Sequence, residues 1–257
     1  MTPSAQAPPR SGDDVLAGLE GVEGWLSDGQ AQTLHRRAGS VPPGGRIVEI
    51  GSFRGRSTIV LARGAEPSVE VIAIDPHGGG DRGPREIRGS RARGEQDLRA
   101  FQANLMRAGV AGRVRHVRLA SRDALGVLAG QIDLLYVDGA HRYGPARSDI
   151  SRWGARIAPG GTLLIHDAFS SVGVTLAILT RLVLAGDFVY VGRVRSLAEY
   201  RRADGPVPAG ERLGSGLRQV AQLPWFGRNV LIKLALVAGR RALAARLGHR
   251  PGDEWPY

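Results

Sequence analysis

The strongest constraint on this chain is the run Ile47-Val48-Glu49-Ile50-Gly51-Ser52-Phe53-Arg54-Gly55-Arg56-Ser57, where an apolar strand enters a glycine turn and the turn enters a helix. Gly51 and Gly55 let the backbone reverse sharply and approach a ligand, and the free N–H groups opening the next helix attract polar or anionic groups. Such a unit suits a nucleotide-type cofactor. A second apolar strand, Val71-Ile72-Ala73-Ile74, ends in Asp75, whose carboxylate suits a ribose diol. A short glycine pattern is weak by itself, and a packing role for both glycines is the competing reading.

Apolar runs recur at 47–50, 71–74, 114–119, 132–137 and 162–166, separated by helix-length segments. That alternation predicts an α/β fold with a mostly parallel sheet and helices on both faces. Val15, Leu16, Leu19, Trp25 and Leu34 fall at helical spacing and predict helices over 15–39 capping the sheet edge. Downstream, 172–184 reads as a helix, and 188–194 with 197–200 as a closing antiparallel pair, making seven strands. The stretch 77–95 is dense in glycine and arginine and nearly devoid of apolar residues. It predicts a mobile loop at the carboxyl end of the sheet, with a lid or substrate-recognition role.

A chain of 257 residues accommodates one sizeable domain with additions. The expected division is a disordered tail over 1–14, a catalytic domain over 15–204 and a basic helical extension over 205–257. Cysteine is absent, which excludes disulfides and thiolate metal sites. The net charge of +11 invites a nucleic-acid reading, but Lys233 is the only lysine, the arginines are spread along the chain, and aromatic residues are 5%. Such a composition disfavours a base-stacking platform, and no nucleic-acid partner is expected. The first fourteen residues lack the apolar stretch of a secretory signal, so the cytoplasm is the default compartment. Over 224–247, Trp225, Phe226, Leu231, Leu234, Val237 and Leu243 interleave with Arg228, Lys233, Arg240, Arg241 and Arg246. Charges interrupt this segment too often for a span of roughly 20 apolar residues. It predicts an amphipathic helix that packs on its own domain, associates with a partner, or lies peripherally on a membrane.

The chemistry concentrates at two strand ends. The run 132–137 leads into Asp138-Gly139-Ala140-His141, and 162–165 leads into His166-Asp167. Adjacent parallel strands would bring Asp138, His141, His166 and Asp167 together. Two carboxylates beside imidazole can hold a hard divalent cation, and a neutral histidine can act as a general base. The competing account makes Asp167 a turn cap and His141 a polar loop residue.

From about Gly24 to Tyr200 these residues resemble the class I S-adenosylmethionine-dependent methyltransferases, and within them the metal-dependent O-methyltransferase branch with its catechol-type and natural-product sugar enzymes. The resemblance implies a Rossmann-like doubly wound sheet and a cofactor, S-adenosylmethionine, held by Glu49, Gly51, Ser52, Phe53, Gly55, Ser57, Asp75, Ser121, Arg122 and Asp138. It places Ser57 on the methionine carboxylate, Asp75 on the ribose, and Ala120-Ser121-Arg122-Asp123 beside the adenine. It assigns catalytic roles to Asp138 and His141, with His141 standing where catechol-type enzymes carry lysine and the sugar enzymes a histidine base. A divalent metal, magnesium by preference, is implied at Asp138 and Asp167. The chain departs from the pattern at Ala168, where catechol-type enzymes carry Asn, and at His166, where the sugar enzymes carry an acid; His166 or water would then complete the shell. The implied activity is methyl transfer to a hydroxyl of a small molecule such as a sugar, glycoside or secondary metabolite. Two competitors are a nicotinamide-dependent oxidoreductase and a non-enzymatic basic binding protein. The first is disfavoured by the Gly-x-x-x-Gly spacing, which lacks the tighter G-x-G-x-x-G form.

Overall fold

The computed structural model describes residues 15–16, 18–80 and 88–250. The tail expected over 1–14 and the centre of the glycine–arginine stretch, 81–87, lie outside the described residues. Seven strands form one sheet: β1 (Arg46–Ile50), β2 (Glu70–Ile74), β3 (Val114–Val117), β4 (Ile132–Val137), β5 (Ile157–Ile165), β6 (Phe188–Val194) and β7 (Leu197–Arg202). Their order is β3-β2-β1-β4-β5-β7-β6. Strands β1 to β5 run parallel, and β7 lies antiparallel to both β5 and β6. The chain builds outward from β1 in one direction and from β4 in the other. A crevice therefore opens at the carboxyl ends of β1 and β4, the switch point where open α/β sheets bind ligands.

Register turns that crevice into a row of side chains. Ile50 pairs with Ile74 and with Val137, and Val137 pairs with Ile165. Their successors, Gly51, Asp75, Asp138 and His166, leave the sheet at one level.

The described residues contain α1 (Asp28–Gly39), α2 (Arg56–Gly64), α3 (Arg91–Arg107), α4 (Ser121–Ala124), α5 (Tyr143–Arg152), α6 (Val172–Arg181), α7 (Ala209–Val220), α8 (Leu223–Val237) and α9 (Arg241–Arg246). Consecutive strand residues point to opposite faces, and both faces are buried. Val48, Leu135 and Leu163 pack with Ala146, Ile150, Val174 and Ile178 of α5 and α6. Ile47, Leu134 and Leu164 pack with Leu34, Ile59 and Phe101 of α1, α2 and α3. Helix α1 buries Ala31, Leu34 and Ala38 in the core shared with α2, and it reaches the edge of the sheet, where Gln30 Nε2 donates to Ser196 Oγ at 3.1 Å and Gly29 lies against Val194 of β6.

Two expectations are corrected. The stretch expected as loop through Glu95 becomes helical at Arg91, where α3 starts. The single helix expected over 224–247 is two helices, α8 and α9, folded back at Gly239 with φ +71° and joined by Ile232, Ala235 and Ala244. Before them, α7 is pinned to the sheet: the Tyr190 N–H donates to Ser215 Oγ at 2.9 Å, and the Tyr200 hydroxyl donates to Gln219 Oε1 at 3.1 Å. Trp225 and Phe226 pack against the sheet core. No helix among the described residues is long and apolar enough to cross a membrane.

Candidate active site

The glycine turn is held by contacts that explain its sequence. Gly51 has φ +86°, and a Cβ there would lie 2.1 Å from the carbonyl oxygen of Asp138. Its missing side chain is therefore required by the adjoining strand end. Gly55 caps α2 in the left-handed conformation at φ +88°, and a Cβ there would press on Phe101 at 3.2 Å. Phe53, also at positive φ (45°), stacks on Trp25 with ring centroids 5.4 Å apart. The Asp75 carboxylate organises the turn: Oδ2 accepts the N–H groups of Ser52 (3.0 Å) and Phe53 (2.9 Å), and Oδ1 accepts that of His77 (2.7 Å).

A carboxylate offers about four acceptor positions, so these three bonds leave Asp75 room for a further donor. Ser52 Oγ is buried and without a hydrogen-bond partner. Glu49 and Ser57, both expected to face the cofactor, hold each other: the hydroxyls of Ser57 and Thr58 donate to the Glu49 carboxyl. Burial pushes that carboxyl up to about 8 despite those two bonds, so it carries a proton at neutral pH.

The Ser121 hydroxyl donates to Asp149 Oδ1 at 2.6 Å, and Asp149 is pushed up to about 6 by burial. Arg122 instead faces solvent beside Asp123 at 3.4 Å. Asp149 was not identified from sequence, because a lone acid inside a helical repeat gives no signal; only the fold brings it beneath Gly139 and Ser121.

The second half of the site lies at the ends of β4 and β5, and all four expected residues meet there. His141 Nε2 contacts Asp167 Oδ2, and His166 Nδ1 sits 3.2 Å from Asp138 Oδ1 and 3.8 Å from Asp167 Oδ2. Donor atoms of Asp138, His141 and Asp167 fall within 4.8 Å of one another, spacing a divalent cation can bridge. Tyr136, two residues before Asp138 on the same side of β4, donates its hydroxyl to Asp138 Oδ2 at 2.9 Å.

Exposure divides the cluster. The side chain of His141 is 32% exposed and that of Asp167 is 5%, so the opening lies on the His141 side. His141 Nδ1, His166 Nε2 and Asp167 Oδ1 are buried without hydrogen-bond partners. Burial opposes charge on both histidines, but the neighbouring carboxylates outweigh it: Asp167 foremost raises His141, and Asp138 with Asp167 raises His166 well above the ordinary imidazole value. Asp167 is held low, the pull of His166 and His141 overcoming its own desolvation.

Backbone strain aims Asp167. It and Phe169 have φ +55° and +56°, values that bulky residues seldom adopt. The turn is fixed by Ala168 N–H donating to the Ser196 carbonyl, by Ser170 and Ser171 N–H donating back to the Asp167 carbonyl, and by the burial of Phe169. Helix α8 adds two clamps absent from the sequence reading: Lys233 Nζ donates to the Ser170 carbonyl at 2.7 Å and Asn229 Nδ2 to the Phe169 carbonyl at 3.5 Å.

Residues 48–168 match the family described as a methyltransferase domain, and the sheet order and crevice fit that class. The fold is Rossmann-like, and the similarity to that family covers 48–168, just under half of the chain. Over 123 residues it is 33% identical to catechol O-methyltransferase of Mycobacterium tuberculosis (strain ATCC 25618 / H37Rv), covering 48% of this chain and 47% of that enzyme. The chain thus spans about half the length of the curated relative it matches. Among solved structures, it resembles cofactor-bound Rv0187 from MTB with a TM-score of 0.51 and 23% identity, over 75% of this chain and 88% of that one. It also resembles the O-methyltransferase TomG from Streptomyces achromogenes, in complex with SAM, with a TM-score of 0.50 and 19% identity, over 77% and 92% of the two chains.

Proposed function

We propose that this protein is an S-adenosylmethionine-dependent O-methyltransferase that transfers a methyl group to a hydroxyl of a small molecule. The observation that carries this reading is the single row formed by the glycine turn, Asp75 and Asp138, with the His141–Asp167 pair at one end. A catechol O-methyltransferase and a TomG involved in tomaymycin synthesis among the similar proteins support a hydroxylated metabolite as acceptor.

The residues fit the methyl donor. Asp75 retains acceptor capacity for a ribose hydroxyl, Ser52 Oγ is an orphaned polar atom beside it, and the N-terminus of α2 suits the donor's carboxylate. When bound, the donor supplies an electrophilic sulfonium methyl. The protein's own share is to place the acceptor oxygen in line and to remove its proton. In the neutral tautomer that directs Nε2–H at Asp167 Oδ2, His141 offers Nδ1 as the proton acceptor once the acceptor hydroxyl reaches that buried atom. Asp167 orients the ring and stabilises the imidazolium that forms.

The donor set also fits a divalent cation. Asp138 and Asp167 would hold it together with His141, whose donor atom converges with theirs, so that His141 serves either the cation or the proton. A cation there supplies charge that lowers the pKa of the acceptor hydroxyl.

Calorimetric titration with S-adenosylhomocysteine tests the reading. Binding to the purified chain, lost in Asp75→Ala, is the expected result. Affinity for a nicotinamide dinucleotide with none for S-adenosylhomocysteine would replace it with an oxidoreductase.

A further inference from the structure

Sixteen large apolar side chains are exposed among the described residues, and seven of them, Leu213, Leu217, Val220, Leu231, Leu234, Val237 and Leu243, belong to α7, α8 and α9. Their spacing is helical. Leu213, Leu217 and Val220 recur at i, i+4 and i+7 on the side of α7 opposite Ser215 and Gln219, which face the sheet. On α8 the residues turned inward are Asn229, Ile232 and Ala235, while Leu231, Leu234 and Val237 are 54%, 60% and 70% exposed.

The cations of α8 do not interrupt that outer face. Arg228 Nε donates to the Leu247 carbonyl and Lys233 Nζ to the Ser170 carbonyl, so both heads turn toward protein. Exposed cations flank the apolar stripe, Arg212 and Arg218 on α7 and Arg240, Arg241 and Arg246 at its C-terminal end. From 209 to 250 the sequence holds eight Lys/Arg against the single acid Glu211, a balance of 8 − 1 = +7.

We propose that α7 to α9 form a docking surface for an anionic phospholipid bilayer. Apolar side chains standing out of a strongly basic helical unit combine the two attractions that hold an interfacial helix, burial below the headgroups and Coulomb attraction to the anionic leaflet. Charge selects this occupant over a second copy of the chain. A two-fold contact would set the exposed arginines of one copy against those of the other with Glu211 as the only acid on each side, whereas an anionic surface neutralises the same charge. The 15 residues of α8 are too few to span a bilayer, which takes roughly 20, so the helix lies along the surface.

Flotation of the full chain with phosphatidylcholine vesicles, with and without phosphatidylglycerol, tests the proposal. Binding is expected to be about tenfold or more stronger to the anionic vesicles and to weaken with added salt. The double variants Leu231→Ser/Leu234→Ser and Arg240→Gln/Arg241→Gln should each lose it. All four side chains are exposed, so both variants should keep the melting temperature and the S-adenosylhomocysteine affinity of the parent. Equal recovery with neutral and anionic vesicles, or no flotation at all, would overturn the proposal. So would a concentration-dependent dimer, seen by light scattering, that the leucine variant disperses.

Discussion

Asp149 carries a charge–burial conflict whose sign can be read in stability. Its folded pKa, pushed up to about 6 by burial and only partly offset by Ser121, exceeds the ordinary value of 3.8. The native state therefore holds that proton more tightly than the unfolded chain. Stability from this group is present below the unfolded value and is lost as pH rises through about 6. The loss is on the order of 2–3 kcal/mol. Urea midpoints of the parent and of Asp149→Asn, compared across this range, should diverge with the parent falling more steeply; parallel curves would show that Asp149 is ionised in the fold. Gly51 makes the second prediction at this scale. In Gly51→Ala, the new Cβ meets the Asp138 carbonyl at 2.1 Å in a left-handed backbone, and neither partner is a flexible side chain. The variant should lose about 2–4 kcal/mol and displace Asp138, lowering stability and turnover together. Unchanged melting would mean that the turn relaxes freely. Sequence reading singled out Gly51 correctly and assigned its freedom to a ligand; the demand it meets first is the approach of the β4 end.

Among elements, α8 connects the C-terminal helices to the chemistry. Lys233 and Asn229 hold the carbonyls of the strained turn after β5, two and three residues beyond Asp167. Neither touches the row that would receive the methyl donor. Lys233→Met together with Asn229→Leu should leave S-adenosylhomocysteine affinity unchanged while kcat falls about tenfold, as when the partners that orient a reactive group are removed. A parallel fall in donor affinity would instead indicate a general structural role. This coupling was not legible in the chain, because 60 and more residues separate the partners and a lysine in an apolar repeat reads as solvated. The helix break at Gly239 was equally hidden; a glycine within an amphipathic pattern is tolerated often enough to pass unnoticed, and only the packing of Ala244 on Ile232 and Ala235 makes it a corner. Strands β1, β2 and β4 and the second half of β5 were legible as apolar runs bounded by glycine or charge, whereas β3, Val114-Arg115-His116-Val117, is polar at its centre and partly exposed. The meeting of Asp138, His141, His166 and Asp167 was legible for the same reason: neighbouring strand ends follow once the parallel order is granted.

At the scale of the molecule, the segment after β7 completes the core that the sheet begins. Tyr190 and Tyr200 belong to the same apolar cluster as Trp225 and Phe226, and α7 accepts a hydrogen bond from each, Ser215 from the Tyr190 N–H and Gln219 from the Tyr200 hydroxyl. Arg193 lies over the Trp225 ring at 3.8 Å, tying β6 to α8. A chain ending at Asp204 would lose both hydrogen bonds, at about 0.5–1.5 kcal/mol each once water takes their place. It would also expose the sheet surface that the two half-buried aromatic rings cover, at up to about 1.5 kcal/mol for each ring. Against a total stability of about 5–15 kcal/mol, that loss is a large fraction of the whole. The truncated chain should therefore aggregate or melt far below the parent, and S-adenosylhomocysteine should not rescue it, although every residue of the row from Gly51 to His166 is retained. Composition marked this segment as a basic extension because its charge is conspicuous, while its attachment rests on a few inward side chains scattered among arginines. If the shortened protein melted with the parent and bound S-adenosylhomocysteine equally well, the sheet would be a self-sufficient domain and α7 to α9 an appendage resting on it.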